Sequence, residues 1–147
     1  MELLPTLNGW LHTLTATASI LLGGYVLLTK KGTKNHLKMG RYHLVCMLLT
    51  NVTSLFIYNA FDKWFFPHTL AVITLVILGI GFYFSRKRLY KHWLKVHLSC
   101  FILSYYMLIG GGINEAFLRI KPLQVYFYNN NQIVGLTHLL LCLFLDF

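Results

Sequence analysis

The stretch LNGWLHTLTATASILLGGYVLLT (residues 7–29), followed at once by KKGTKNHLKMGR (residues 30–41), decides how the rest of the chain is read. The first part holds no Asp, Glu, Lys or Arg, while the second holds Lys30, Lys31, Lys34, Lys38 and Arg41. At 1.5 Å of rise per residue, roughly 20 helical residues cross a hydrocarbon core about 30 Å thick. Lipid offers the backbone no hydrogen-bond partner, so a run of this length satisfies itself as a helix. A long apolar run closed by basic residues is the pattern of a membrane span and the connection after it.

The alternation repeats along the chain. Residues 42–61, 64–85, 96–114 and 122–145 also lack all four charged residue types. Spans are predicted near 7–29, 41–60, 67–86 and 93–113. Asn129, Asn130, Asn131 and Gln132 interrupt the last run, leaving Ile133 to Leu145 as its apolar part. That piece is short for a crossing and suits an interfacial helix, a partly inserted one or a fifth span. The expected fold class is therefore all-α: an integral membrane antiparallel four-helix bundle over residues 1–119. Residues 120–147 follow as a C-terminal apolar tail.

Composition points the same way. Of 147 residues, 56% are hydrophobic and only 12% charged, against about 25% charged in a soluble domain. A soluble enzyme, a disordered tail and a coiled coil are poor fits. The net charge of +9 could suit nucleic acid, but the cations punctuate apolar runs, so the expected partner is a lipid bilayer and not nucleic acid. The first run lacks the basic start of a signal peptide and its apolar part is too long for one. Cys46, Cys100 and Cys142 each stand alone in an apolar run and read as small hydrophobes.

The remaining charges set an orientation. Arg86, Lys87, Arg88, Lys91 and Lys95 form a second basic cluster, whereas the connection between them and the first holds only Asp62 and Lys63. The positive-inside rule puts connections 30–41 and 86–95 in the cytoplasm and the N-terminus outside, in a bacterial inner membrane. Asn35 is expected to cap a second helix beginning at His36, and Pro67 suits the first turn of the third. Trp10, Trp64 and Trp93 stand where interfacial anchors belong.

Ionisable residues at membrane depth are costly and become functional candidates. His12 and His68 lie near the starts of the first and third helices, hence near the outer face. His43 and His97 lie near the starts of the second and fourth, hence near the inner face, with His36 and His92 just below them as alternative inner-face metal ligands. His138, in the tail, has no assigned role. On the first helix His12, Ala16, Ser19 and Gly23 share one side; such a strip of small residues permits close helix packing and would equally leave room for a flat ring. On the second helix His36, Gly40, His43, Met47, Asn51, Ser54 and Tyr58 form a polar line suited to face protein or a cavity. On the fourth, His97, Ser104 and Gly111 recur every seven residues. Imidazole binds iron, copper and zinc; one histidine from each of two facing helices suits a haem held on both sides. Zinc would want three or four ligands, within reach only at the inner face. No Cys-x-x-Cys-His motif for covalent haem is present.

The stretch His36-Leu37-Lys38-Met39-Gly40-Arg41-Tyr42, with His12, Phe66-Pro67-His68 and Lys91-His92-Trp93, resembles a family of predicted bacterial membrane proteins, domain of unknown function 2306. The likeness spans roughly residues 7–119 and rests on His12, His36, Gly40, Arg41, His68 and His92. It implies a membrane protein but no particular activity, and it leaves His97 and residues 120–147 outside the family pattern. A more distant architectural likeness is to the four-helix core of cytochrome b561-type electron carriers, which hold b-type haems between paired histidines near opposite membrane faces.

Three functions are compatible with these residues. One is a haem b electron carrier, with His12 and His68 as the outer ligands and His43 and His97 as the inner, exchanging with a quinone or a redox partner. The second is a non-catalytic membrane accessory or assembly protein whose histidines pack and hydrogen-bond. The third is a metal-binding or transport protein lined by Asn51, Ser54 and Tyr58, which would need to form a homo-oligomer. No paired carboxylates, phosphate loop or nucleophilic serine motif mark a soluble-enzyme site, and no catalytic residue is assigned.

Overall fold

The computed structural model describes residues 7–57, 66–88 and 91–119, with side chains described over 7–57, 67–88 and 91–113. Four α-helices fill nearly all of this: α1 (Leu7–Leu28), α2 (Lys34–Ser54), α3 (Phe66–Lys87) and α4 (Trp93–Arg119). No strand occurs among the described residues. Tyr58, Asp62, Lys63, Trp64 and the tail 120–147, with His138 and Cys142, lie outside them. The chain forms two compact units, Met1–Leu108 and Ile109–Phe147. Every contact described below falls in the first; the second begins within α4.

The helices match the uncharged runs, with one correction in α2. Its cap is Thr33, not Asn35: Thr33 is extended at φ −75°, ψ 159°, and its hydroxyl accepts from the His36 amide at 3.2 Å. A capping oxygen must come from an extended residue just outside the helix. Gly32, at φ 80°, turns the chain immediately before Thr33, so Asn35 is carried into the first turn. Leu7–Leu28, Pro67–Lys87 and Trp93–Ile113 are long and apolar enough to cross a membrane, with mean hydropathies of 1.5, 1.8 and 1.5. The helix α2 begins before its uncharged run, taking in Lys34, Lys38 and Arg41, and the run 42–61 continues past Ser54 to residues outside the described ones.

Neighbouring helices run antiparallel. Asn8 donates to the Thr53 carbonyl at 3.2 Å, His12 bonds the Thr50 carbonyl at 3.0 Å and His43 bonds that of Ser19 at 3.0 Å. Each step forward along α1 is thus matched by a step back along α2. The α3–α4 pair behaves alike: the Thr74 hydroxyl meets Met107 Sδ at 3.4 Å, and His97 bonds the Gly81 carbonyl at 3.2 Å.

The polarity of the bundle is inverted relative to a soluble protein. Among the described residues the buried hydrophobes are Met47, Ala71, Leu78, Met107 and Leu108, whereas Thr15, Ser19, His43, Thr50, Asn51, Thr53, His68, Thr74 and Ser104 are also buried. Leu14, Leu21, Val45, Val76 and Leu94 face outward, each more than half exposed. Such a surface belongs in hydrocarbon, and the molecule is an all-α membrane bundle. Four of its interior threonine hydroxyls are satisfied locally: Thr15 donates to Leu11 O at 2.9 Å, Thr50 to Cys46 O at 2.8 Å, Thr53 to Leu49 O at 2.7 Å and Thr74 to Leu70 O at 2.7 Å. Each bond closes within its own helix.

Candidate functional site

Among the described residues the most deeply buried histidine is His43, 2% exposed. A carbonyl oxygen can only accept, so the 3.0 Å bond to Ser19 O places a proton on Nδ1. In the neutral ring Nε2 then carries the lone pair. Two α4 rings pack on the imidazole. Tyr105 meets it edge-on, centroids 6.1 Å apart at 66°, and Phe101 lies 6.5 Å away. Tyr105 is itself fixed, its hydroxyl donating to Ile20 O at 2.9 Å.

Gly23 makes this arrangement possible. A Cβ there would lie 2.5 Å from Tyr105 Cδ2 and 2.8 Å from His43 Cε1, closer than carbon atoms pack. The small strip Ala16, Ser19, Gly23 does leave room for a flat ring, as its composition suggests, and the phenol of Tyr105 takes that room. Beside it, Met47, Leu78 and Leu108 close the apolar core, with Ala16, Ile20, Leu44 and Phe101 packed against them.

The other inner histidines gather around the same rings. The His97 imidazole packs on Phe101 with centroids 4.7 Å apart, and its Nδ1 bonds Gly81 O at 3.2 Å. A Cβ on Gly81 would stand 2.8 Å from Cys100 Cβ, so α3 and α4 approach closely here. His43 and His97 therefore share Phe101 as a neighbour. His36, on the part of α2 that precedes the uncharged run, is half-buried. Burial holds its imidazole below the ordinary value of 6.5, as do Lys31 and, more weakly, His97, while a hydrogen bond to the Val26 backbone opposes them. His43 and His97, near the starts of α2 and α4, both meet Phe101, so those two helix starts lie at one end of the first unit. His92 is exposed beside Lys91.

Toward the other end, His12 is half-buried, its Nδ1 3.0 Å from Thr50 O and 3.2 Å from Thr53 Oγ1. His68, at the first turn of α3, is 4% exposed. The polar line of α2 does face inward. Asn51 Nδ2 donates to Met47 O at 2.7 Å and the Ser54 hydroxyl to Asn51 O at 2.7 Å, so both are satisfied by their own helix; Tyr58 lies outside the described residues. Sequence reasoning missed Phe101 and Tyr105. Their signal was spacing: His97, Phe101 and Tyr105 recur every four residues and so share one face of α4.

The arrangement separates two requirements for a cofactor. The donor chemistry suits a haem or a transition metal, because Nδ1 bonds to backbone carbonyls present Nε2 as the ligand atom and hold the ring's orientation. The packing at the inner tier does not suit a haem, because Tyr105 and Phe101 occupy the space against His43 that a porphyrin would need. Among the described residues no three His, Cys, Asp or Glu side chains converge as a metal site would require.

No curated protein and no solved structure matches this chain. A family model described as predicted membrane protein (DUF2306) matches residues 9–145, running through the tail that was expected to fall beyond it. The shared ground thus covers the inverted bundle, its interior histidines and nearly all that follows, and the chain belongs to this family of membrane proteins.

Proposed function

We propose that the protein is a non-catalytic membrane accessory or assembly component, acting through its helix faces on lipid and on other membrane proteins. The observation that carries this is the use of the histidines. His12, His43 and His97 each bond the backbone of a neighbouring helix, and protein rings pack beside His43 and His97. Buried hydrogen bonds of this kind fix register between helices where lipid gives no hydrophobic drive to associate. The basic clusters share one end, which supports a cytoplasmic-membrane orientation with connections 30–41 and 86–95 inside and the N-terminus outside. A second copy of the chain is one partner compatible with the exposed faces.

A second reading, the b-type haem electron carrier exchanging with a quinone or redox partner, is favoured by the Nε2 lone pairs of the same histidines. One measurement separates the two. Protein purified in detergent from haem-supplied cells is expected to show no Soret band and no stoichiometric iron, copper or zinc. A reducible Soret band, lost in His12→Gln or His43→Gln variants that keep their helical circular dichroism, would overturn the accessory reading and install the haem one.

A further inference from the structure

One face of α2 is left uncovered by the rest of the first unit, and it changes character along its length. Lys34, Lys38, Arg41, Val45, Leu48 and Val52 follow one another at intervals of four and three residues, so they form one stripe. All six are exposed, whereas His43, Met47 and Asn51 on the opposite side are buried. The lower part of the stripe carries three positive charges within two turns and opens on a hollow of about 380 Å³ lined by Lys34, Leu37, Lys38, Arg41 and Tyr42. The upper part is aliphatic, with Val45 53%, Leu48 40% and Val52 43% exposed. No acidic residue lies in the first turn of α2 to neutralise the cations, and the helix dipole adds positive potential at that end.

We propose that this face binds one anionic phospholipid, its phosphate held by Lys34, Lys38 and Arg41 and an acyl chain laid along Val45, Leu48 and Val52. The lengths agree. Eleven residues separate Arg41 from Val52, about 16 Å of helix, and one leaflet of hydrocarbon is about 15 Å deep. Arginine offers a fork that matches phosphate oxygens, lysines add point charges, and Tyr42 sits at the junction, where an amphipathic ring belongs. A free phosphate would use the cations alone and leave the aliphatic half without an occupant, so the complementarity favours a lipid. The second basic cluster differs. Arg86 lies over the Phe82 ring at 6.0 Å and Arg88 over Trp93 at 4.9 Å, so two of its cations already have aromatic partners.

The test mixes detergent-purified full-length protein with equimolar phosphatidylglycerol and phosphatidylcholine and reads the retained lipid by native mass spectrometry. The wild type is expected to retain phosphatidylglycerol in excess. Lys38→Gln with Arg41→Gln should cut that excess roughly twenty-fold, since each cation near an anionic lipid surface is worth about a factor of five. Both residues are exposed, so the substitutions leave the packing intact. Lys87→Gln with Arg88→Gln should leave the excess unchanged. Equal loss in both double variants would mean attraction by net charge alone and would overturn the site. Displacement of phosphatidylglycerol by inorganic phosphate in the tens of millimolar would assign the cations to free phosphate, which also defeats the proposal.

Discussion

Substituting Gly23 by alanine tests the central packing directly. The new methyl would stand 2.5 Å from Tyr105 Cδ2 and 2.8 Å from His43 Cε1, where about 3.5–4 Å is the favourable carbon–carbon separation. Neither ring can swing away freely: Tyr105 is tied to Ile20 O at 2.9 Å and His43 to Ser19 O at 3.0 Å. Relief requires a shift of about 1 Å, which stretches one bond or parts α1 from α4. Overpacking a core costs about 1–3 kcal/mol and a lost interhelical hydrogen bond in a membrane about 0.6 kcal/mol. The better helix propensity of alanine returns at most about 1 kcal/mol. The expected net loss is about 2 kcal/mol, roughly a thirty-fold drop in the folded-to-unfolded ratio. The assay is denaturant unfolding in detergent, followed by far-ultraviolet circular dichroism, with Gly40→Ala and Gly79→Ala as controls. A Cβ at either control position meets nothing within 4 Å, so both should match or slightly exceed the wild type. The cycle is closed with Tyr105→Leu, in which Gly23→Ala should cost less. If Gly23→Ala proves as harmless as Gly40→Ala, or adds fully to Tyr105→Leu, the packing argument is wrong.

Gly81→Ala places a methyl 2.8 Å from Cys100 Cβ and 3.2 Å from the Phe101 ring. It should destabilise the α3–α4 pair by about 1–3 kcal/mol in the same assay. Thr33→Ala removes the observed cap of α2 and should cost about 1 kcal/mol, whereas Asn35→Ala, the cap anticipated from sequence, should stay within about 0.5 kcal/mol of wild type. The fold favours neutral His36, its value lying below 6.5. The folded state therefore binds fewer protons than the unfolded one, and stability present above pH 6.5 declines as the pH falls through that value toward the folded one. Unfolding midpoints between about pH 5 and pH 8 should show this slope in the wild type and a flatter one in His36→Gln.

The helix count and the buried side of α1 were legible because lipid imposes long uncharged runs and because Ser19 and Gly23, four residues apart, must share a face. The inward line of α2 was legible for the same reason, and Met47, His43 and Asn51 are all buried on it. The occupant of the space beside the small strip was not. A glycine announces a void but not its filler, and with nine Tyr and eleven Phe in the chain, picking out Tyr105 required the register between α1 and α4. The cap of α2 escaped because Asn is the stronger capping residue by preference, and the left-handed Gly32 between Lys31 and Thr33 decided for Thr33 instead.

The hydroxyls that bond within their own helices carry a consequence for biogenesis. Thr15, Thr50, Thr53 and Thr74 are satisfied by carbonyls three or four residues back, so a lone helix can enter the bilayer with these groups already quenched. Asn8, His12, His43, His97 and Tyr105 are different, because they bond across to another helix. The Thr15 and Thr50 hydroxyls bond only within α1 and α2, whereas Thr53 also meets His12 and Thr74 also meets Met107 on a neighbouring helix. Thr15→Val and Thr50→Val should pass the translocon and still yield a mature protein, whereas losing one of those five side chains should leave inserted segments that fail to find their register.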